Sequence, residues 1–263
     1  MKKAHKIIIG PSFYATGHAL SPGGNVLVIG RNSSVGDEWS YSYRKIDATS
    51  FIPERALTKS ILTELSRLGL AKPEENAMAT SILLYKFLEK VPERFMLWTE
   101  LENISETDGG FELTLYTVSG RRVVCCEELV DNTVEALTCP DWGTNNLQSK
   151  RLNMLVRNCG QSGLETSDFA GLTIRPGRCN DERIVECPVS LDISMMDARQ
   201  KLLVFWEARP AEMNDWKIAS FGTEFDYEVK NDYYEIKPGW TYRNPLAFKC
   251  PLAAFDTGLS GEV

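Results

Sequence analysis

The sequence predicts an α/β fold into which a second, α+β portion is inserted. Three observations predict it. Residues 6–29 read as strand, helix and strand within about thirty residues, the length of a βαβ unit whose strands are parallel. Residues 54–90 carry two patterns of helical period. From about Cys139 to about Tyr234 the chain changes to short alternating segments such as "RIVECPVSLDI", which suit antiparallel strands.

In order along the chain, Lys6 to Ile9 is a short apolar strand and Gly10-Pro11-Ser12 the turn after it. A helix of about two turns runs from Phe13 to Leu20 and is stopped by Ser21-Pro22-Gly23-Gly24. Val26 to Ile29 is the next strand. Residues 54–69 form an amphipathic helix with Leu57, Ile61, Leu65 and Leu68 on one face and Gly69 as its C-cap. A helix from Glu74 to Lys90 turns Ile82, Tyr85 and Leu88 toward a core. Phe95 to Trp98 is a strand, followed by a meander of Phe111 to Val118, a Ser119-Gly120 turn, Arg122 to Cys126 and Leu129 to Asp131. In the inserted portion Met195 to Trp206 is helical behind the N-cap Ser194. The tail, "KPGWTYRNPLAFKCPLAAFDTGLSGEV", starts a helix of small residues that returns to the first domain.

At 263 residues the chain can bury a core without disulfide or metal staples. Its formal net charge of −7 and lack of a Lys/Arg tract exclude a surface built for nucleic acid or anionic membrane. A small-molecule substrate or a protein partner fits better. The N-terminal apolar run is too short for a signal peptide, and no stretch approaches the roughly 20 apolar residues of a membrane span. A soluble, cytoplasmic protein is the expectation. Seven cysteines without a C-x-x-C pair suggest neither zinc nor a disulfide framework, but free and mostly buried thiols. His5 and His18 are the only histidines, which excludes most histidine-dependent triads and histidine-rich metal sites. His18, on the first helix, suits packing or a solvent contact.

A phosphate-binding turn needs small residues, because the backbone must approach a pyrophosphate closely while the amides at the helix start supply donors. The expected G-x-G-x-x-G stands here as Gly10-Pro11-Ser12-Phe13-Tyr14-Ala15. Gly10 keeps the tight turn, Ser12 replaces the glycine of closest approach, and Ala15 substitutes for the third.

Five segments, taken together, resemble the FAD-dependent oxidoreductases of the two-dinucleotide-binding-domain flavoprotein class. They are this turn, "VLVIGRNSSVGDEW", "SILLYKFLEKVPERFMLWTELENI" with "EELVDNTVEA", and "NPLAFKCPLAAFDTGLSGE". In that family the second strand ends in an acid, then a basic residue and a Gly-rich loop. Arg31 matches the basic position and Gly36 the loop glycine, while Gly30 stands at the acid position. Asp131 and Thr133 match the family's D-A-T-G; Asn132 and Val134 depart from it. The family's late Gly-Asp pair is missing, with Lys249-Cys250 nearby instead. The resemblance covers residues 5–50, 80–137 and 238–260.

What it implies is a Rossmann-type FAD/NAD(P)-binding domain formed by residues 1–138 and 236–263, with an inserted antiparallel α+β substrate or cap domain over 139–235. FAD would be held by Gly10, Ser12, Ala15, Arg31, Gly36, Asp131 and Thr133, with Gly10, Arg31, Gly36, Asp131 and Thr133 brought to one edge of a mainly parallel sheet. The flavin would take a hydride or electron pair from a small organic substrate and pass it on. No second Gly-rich motif for a nicotinamide is visible. The competing expectation is a noncatalytic partner or regulatory subunit, working with another protein or a second copy, that has kept the fold and lost FAD. It rests on Ser12, on Gly30 and on the missing Gly-Asp. Gly30→Glu is expected to strengthen FAD binding by restoring the ribose acceptor.

Trp39, Tyr41, Tyr43 and Arg44 follow the Gly-rich loop where a flavin edge would lie and are the substrate candidates; the same residues also suit packing. Tyr233, Tyr234, Trp240 and Arg243 form a similar cluster. "ETDGGFE" at 106–112 lacks the ligand alternation of a calcium loop and reads as a turn. Asp226, Glu228 and Asp232 read as a solvated strand edge.

Overall fold

The computed structural model describes residues 2–70, 72, 75–160, 168–169, 171–209 and 211–261. The chain divides into two compact units: Met1–Glu38, Ile46–Asn145 and Asn231–Val263 form the first, and Trp39–Lys45 with Asn146–Lys230 the second.

In the first unit β1 (Lys2–Ile9), helix α1 (Phe13–Leu20) and β2 (Val26–Ile29) make the expected strand, helix and strand. A single helical turn, α2 (Asp37–Ser40), follows. Then come α3 (Ala56–Arg67), α4 (Ala77–Leu88), β3 (Phe95–Met96), β4 (Thr99–Thr107), β5 (Gly110–Thr117), β6 (Gly120–Asp131) and α5 (Pro140–Asn146). After the second unit, which holds β7–β12 and α6, β13 (Tyr233–Lys237), β14 (Trp240–Arg243) and α7 (Pro251–Ser260) complete the first. Its strands form one sheet in the order β13-β14-β6-β1-β2-β3. The pairs from β14 to β3 are all parallel; β4 and β5 extend β6 as an antiparallel meander. Ile7, Ile9, Leu27, Leu113, Leu115 and Leu129 fill one side of this sheet.

The strand limits that differ from expectation have local causes. β6 runs unbroken through Glu127 and Glu128 because parallel pairing puts bases beside them. Lys6 Nζ lies 3.1 Å from Glu128, and Lys3 Nζ 3.2 Å from Glu127. β4 escapes pattern reading because Leu101 and Ile104 are three residues apart, a helical spacing; a bulge between Leu101 and Asn103 brings both onto the core face. β3 stops at Met96, and Trp98 is exposed with φ 53°.

Of the expected helices, α3 and α4 form; α3 buries the expected face except at its end, while the buried face of α4 is rotated from the expected one. Ile61 and Leu65 are buried whereas Leu68 is the exposed C-cap. On α4 the buried stripe is Ala77, Thr80, Leu84 and Leu88, joined by Leu83, and Ile82 faces outward. "SILLYKFL" is apolar on both faces, so its periodicity does not select a rotation. The expected start at Glu74 lies outside the described residues; Asn76 caps α4 by accepting from the Ala79 amide at 3.0 Å.

α1 is buried on nearly every side and crosses α7 at two glycines. A Cβ on Gly17 would fall 2.3 Å from the Phe255 carbonyl oxygen, and one on Gly258 2.1 Å from that of Tyr14. His18 is buried on this helix, its ring 4.6 Å edge-on from Tyr14.

The second unit is an antiparallel sheet centred on β7 (Leu147–Asn158). Around it lie β8 (Asp168–Phe169), β9 (Leu172–Pro176), β10 (Glu182–Val189), β11 (Trp216–Phe221) and β12 (Asp226–Val229). Helix α6 (Met195–Glu207) covers one face, with Leu202 and Trp206 against Leu152, Met154, Val156 and Val185. Its Ser194 cap accepts from the Asp197 amide at 3.1 Å.

Gly258→Ala should lower the unfolding free energy by about 1–3 kcal/mol through overpacking, against the gain of about 1 kcal/mol that Gly to Ala brings inside an ordinary helix. Urea denaturation reads the sign directly.

Candidate functional site

Three parallel strands end side by side, and the turns after them make the candidate site. The Asn132 amide donates to Ile9 O at 2.7 Å, the Gly10 amide to Ile29 O at 2.8 Å and the Gly30 amide to Met96 O at 3.0 Å. Gly10 has φ 102°, and a Cβ there would meet the Asn132 carbonyl oxygen at 2.4 Å, so both backbone conformation and contact require glycine. Asp131 and Thr133 lie on this edge. Arg31 and Gly36 lie on the loop after β2, which returns to the turn through the Gly36 amide donating to Pro11 O at 2.8 Å.

Ser12 caps α1. Its hydroxyl accepts from the Ala15 amide at 3.0 Å and donates to the Asn132 carboxamide oxygen; the Asn132 carboxamide nitrogen donates to Arg243 O at 2.7 Å. The first amide of the helix, Phe13 N–H, donates to Glu38 Oε1 at 2.9 Å. Glu38 is only 7% exposed, so a buried carboxylate sits against the positive end of α1, where dipole and amide both favour it. Reading the sequence missed Glu38. The available signal was an acidic pair, Asp37-Glu38, directly after the loop glycine Gly36.

The rest of the edge is equally filled. A Cβ on Gly30 would lie 2.5 Å from Pro11 Cγ, and one on Gly36, whose φ is 76°, 2.5 Å from the buried Phe13 ring. Arg31 is exposed and pairs with Glu100 at 2.9 Å. Asp131 is fully buried, and its carboxylate accepts from the amides and hydroxyls of Thr133 and Thr138 at 2.6–2.9 Å. Desolvation raises its pKa above the ordinary carboxylate range, opposed by those hydrogen bonds. Burial and the neighbouring Asp131 push the Cys139 thiol up to about 11, which leaves it a poor nucleophile. Tyr14 is pushed up to about 12 by burial, against the Arg243 guanidinium 4.9 Å over its ring. Of the second aromatic cluster, Tyr234 stacks on Trp142 at 4.8 Å, while Trp240 donates to Thr138 Oγ1 at 3.1 Å.

The substrate candidates fall in the second unit, where most of them fasten the Trp39–Lys45 segment to its sheet. Trp39 is buried with the Arg44 guanidinium 5.6 Å over its ring. Arg44 pairs with Asp226 at 2.5 Å and donates to Tyr227 O at 2.8 Å. The Tyr43 hydroxyl bonds Ser220, and the Ser42 carbonyl accepts from Asn153 Nδ2 at 2.8 Å. Tyr41 is the exposed member. Asp226 is not on a solvated edge: it is 1% exposed between Arg44 and Arg151, and Arg151 also bonds Glu228 at 2.8 Å. The alternating pattern of β12 hid this, because the arginines that neutralise Asp226 are distant in sequence.

No protein-family model matches the chain, and no curated protein matches it in sequence. Solved structures do share its fold. p-Nitrophenol 4-monooxygenase PnpA from Pseudomonas putida DLL-E4 has a TM-score of 0.59 at 13% identity, over 92% of this chain and 72% of that one. A geranylgeranyl bacteriochlorophyll reductase-like protein from Thermoplasma acidophilum has a TM-score of 0.62 at 11% identity, over 99% and 77%. Aklavinone-11 hydroxylase, solved with FAD and aklavinone, has a TM-score of 0.57 at 11% identity, over 98% of this chain and 61% of its own. The chain therefore has a Rossmann-type α/β fold in common with these solved structures. Among its described residues no helix is long and apolar enough to cross a membrane.

As folded, the residues present do not fit FAD. A dinucleotide needs free amides at the first helix for its pyrophosphate and an acid after the second strand for its ribose. Here Glu38 and Ser12 hold those amides. Gly30 offers no acceptor, and Pro11 blocks the start of any side chain placed there.

Two outcomes test these electrostatics. Asp226→Ala strips two partly buried guanidiniums of their shared anion and should cost about 3–5 kcal/mol in denaturant unfolding; a loss below about 1 kcal/mol contradicts the arrangement. Asp131 has a raised folded pKa, so its proton is held more tightly in the folded state. Relative to Asp131→Asn, the wild type should lose stability as pH rises from the unfolded value of about 3.9 through the folded one. Unfolding curves of both proteins at pH 4 and pH 7 measure it.

Proposed function

We propose that this chain is a noncatalytic protein on the FAD-dependent oxidoreductase fold, acting as a partner or regulatory subunit of another protein and not carrying FAD. The observation that carries the reading is the packing of the cofactor turn: the Pro11 ring stands against Gly30 and the Phe13 ring against Gly36. As folded, a side chain at position 30 would begin against the Pro11 ring, and the Gly-rich loop is packed against Phe13 at Gly36, which supports the reading. The fold is separable from the activity of its relatives, and the candidate substrate residues Trp39, Tyr43 and Arg44 already have internal partners.

The other reading is hydride or electron-pair transfer between FAD and a small organic substrate. It is favoured by the gathering of Gly10, Asp131 and Thr133 at the carboxyl edge of the parallel strands, where ligands of such sheets bind. It requires the loop after β2 to move away from α1.

A visible absorption spectrum of the purified protein before and after addition of FAD decides between them. The noncatalytic reading predicts no flavin absorption on purification and no spectral shift of added FAD at micromolar concentrations. Gly30→Glu alone should bring no gain, since its Cβ would begin 2.5 Å from Pro11 Cγ. Retention of one FAD per chain by the wild type overturns the reading.

A further inference from the structure

We propose that the outer edge of β13 is a strand-addition site, which takes an extended, basic segment of a partner polypeptide as one more strand of the first unit's sheet. The proposal names the kind of partner that the noncatalytic reading calls for and rests on that reading for its role; the edge itself does not depend on FAD.

β13 ends the sheet, and among the described residues no strand pairs with its outer side. Its register fixes which backbone groups face outward. The Asn244 amide donates to Asp232 O at 2.8 Å, and Tyr233, Tyr234 and Glu235 stand opposite Arg243, Tyr242 and Thr241. Bonded and non-bonded pairs alternate along an antiparallel ladder. With Asp232 and Asn244 as a bonded pair, Tyr233 and Glu235 turn their amides and carbonyls away from β14, two residues apart, as an incoming strand requires. The bulge of β13 comes only after Glu235.

Open edges are ordinarily blunted by charge, bulges or brevity. β3 has only two residues, and β4 carries Glu100, Glu102 and Glu106 and is bent by its bulge. β13 instead shows two tyrosines, Tyr233 48% and Tyr234 39% exposed, which alternate between its faces. Tyr234 is backed by Trp142, stacked 4.8 Å away, and Trp142 also meets the buried Tyr242 at 4.7 Å. Aromatic side chains fixed in this way are the usual anchors of an interface.

The charges choose the occupant. Glu235 and Asp141, the neighbour of Trp142, are exposed, and their carboxylates pair with no cation among the described residues. Burial first, then nearby charges that include Asp232 and Glu135, raise the pKa of the Tyr242 hydroxyl, so these acids stand by the same aromatic wall. Lys237, the base on the strand, is taken by Glu106. An acidic, aromatic edge suits Lys or Arg alternating with apolar side chains. A second copy would bring the same acids against it, which opposes self-pairing.

The probe is the end-blocked peptide Lys-Val-Lys-Val-Lys-Val, dye-labelled and titrated with the full chain while its anisotropy is read. Its control is Lys-Pro-Lys-Pro-Lys-Pro, equal in charge but unable to complete a ladder. The wild type should bind the valine peptide at least about tenfold more tightly than the proline one. Glu235→Pro removes an outward amide, spares the bonds to β14 and should lose that preference. Glu235→Gln keeps the amide and should weaken binding only about two- to fivefold.

Equal binding of the two peptides by the wild type overturns the proposal, as does undiminished binding by a Glu235→Pro whose circular dichroism shows it folded. If Glu235→Pro does not fold, the two peptides on the wild type decide alone. Sedimentation of the wild type at micromolar concentrations tests the other occupant: a dimer that Glu235→Pro disperses gives the edge to a second copy and overturns the proposal. Wild type that retains FAD overturns the noncatalytic function and leaves the edge. Wild type free of FAD that prefers neither peptide removes only the strand-addition site.

Discussion

The first unit is organised around the place where β1 passes into α1 beside the end of β6. The backbones of Gly10 and Asn132 approach so closely there that no Cβ fits between them. That approach lets the Asn132 amide reach Ile9 O and its side chain reach both Ser12 and Arg243 O. It ties the first turn of the chain to β6 and to the strand that returns after the second unit. The parallel order of β14, β6, β1 and β2 follows from this junction as much as from the apolar strands themselves.

At the same junction the turns after the strands are filled by side chains of the chain itself. In a parallel sheet the strand interiors are buried on both faces and tolerate little, whereas the turns at the carboxyl ends are bound only by their local contacts. In this chain those turns are packed. Phe13 and Val35 are buried and Pro11 half-buried at them, and the acids Glu38 and Asp131 are buried beside them. A helix N-terminus left without an acceptor inside a protein is costly, so a closed turn needs an internal anion or polar cap. Ser12 and Glu38 together meet that requirement.

The second unit solves a different electrostatic problem. Its central strand β7 carries Arg151 and Asn153 on the face opposite the α6 core, and the Trp39–Lys45 segment adds Arg44. Asp226 neutralises both guanidiniums, while Asn153 holds the segment by its backbone carbonyls. Residues from two distant parts of the chain thus become one hydrogen-bonded group.

The sequence by itself determined the βαβ start, because Ile7 to Ile9, the helix of small and apolar residues and Val26 to Ile29 are bounded by Gly10 and by Ser21 to Gly24. It determined the cap of α6 at Ser194 and the closing helix after Cys250 as well, since caps, breakers and period act within a few residues. The glycine at the first turn was legible for the same reason. Only the tertiary structure decided the rotation of α4, the unbroken course of β6 through two acids, and the contents of the candidate site. An apolar helix can bury either face, Glu127 and Glu128 stay in a strand only when Lys3 and Lys6 lie alongside, and Glu38 becomes a helix-capping anion only when its loop folds back 25 residues onto Phe13. Each of those outcomes is set by a partner far away in the chain, and a short-range pattern carries no record of which partner it will meet.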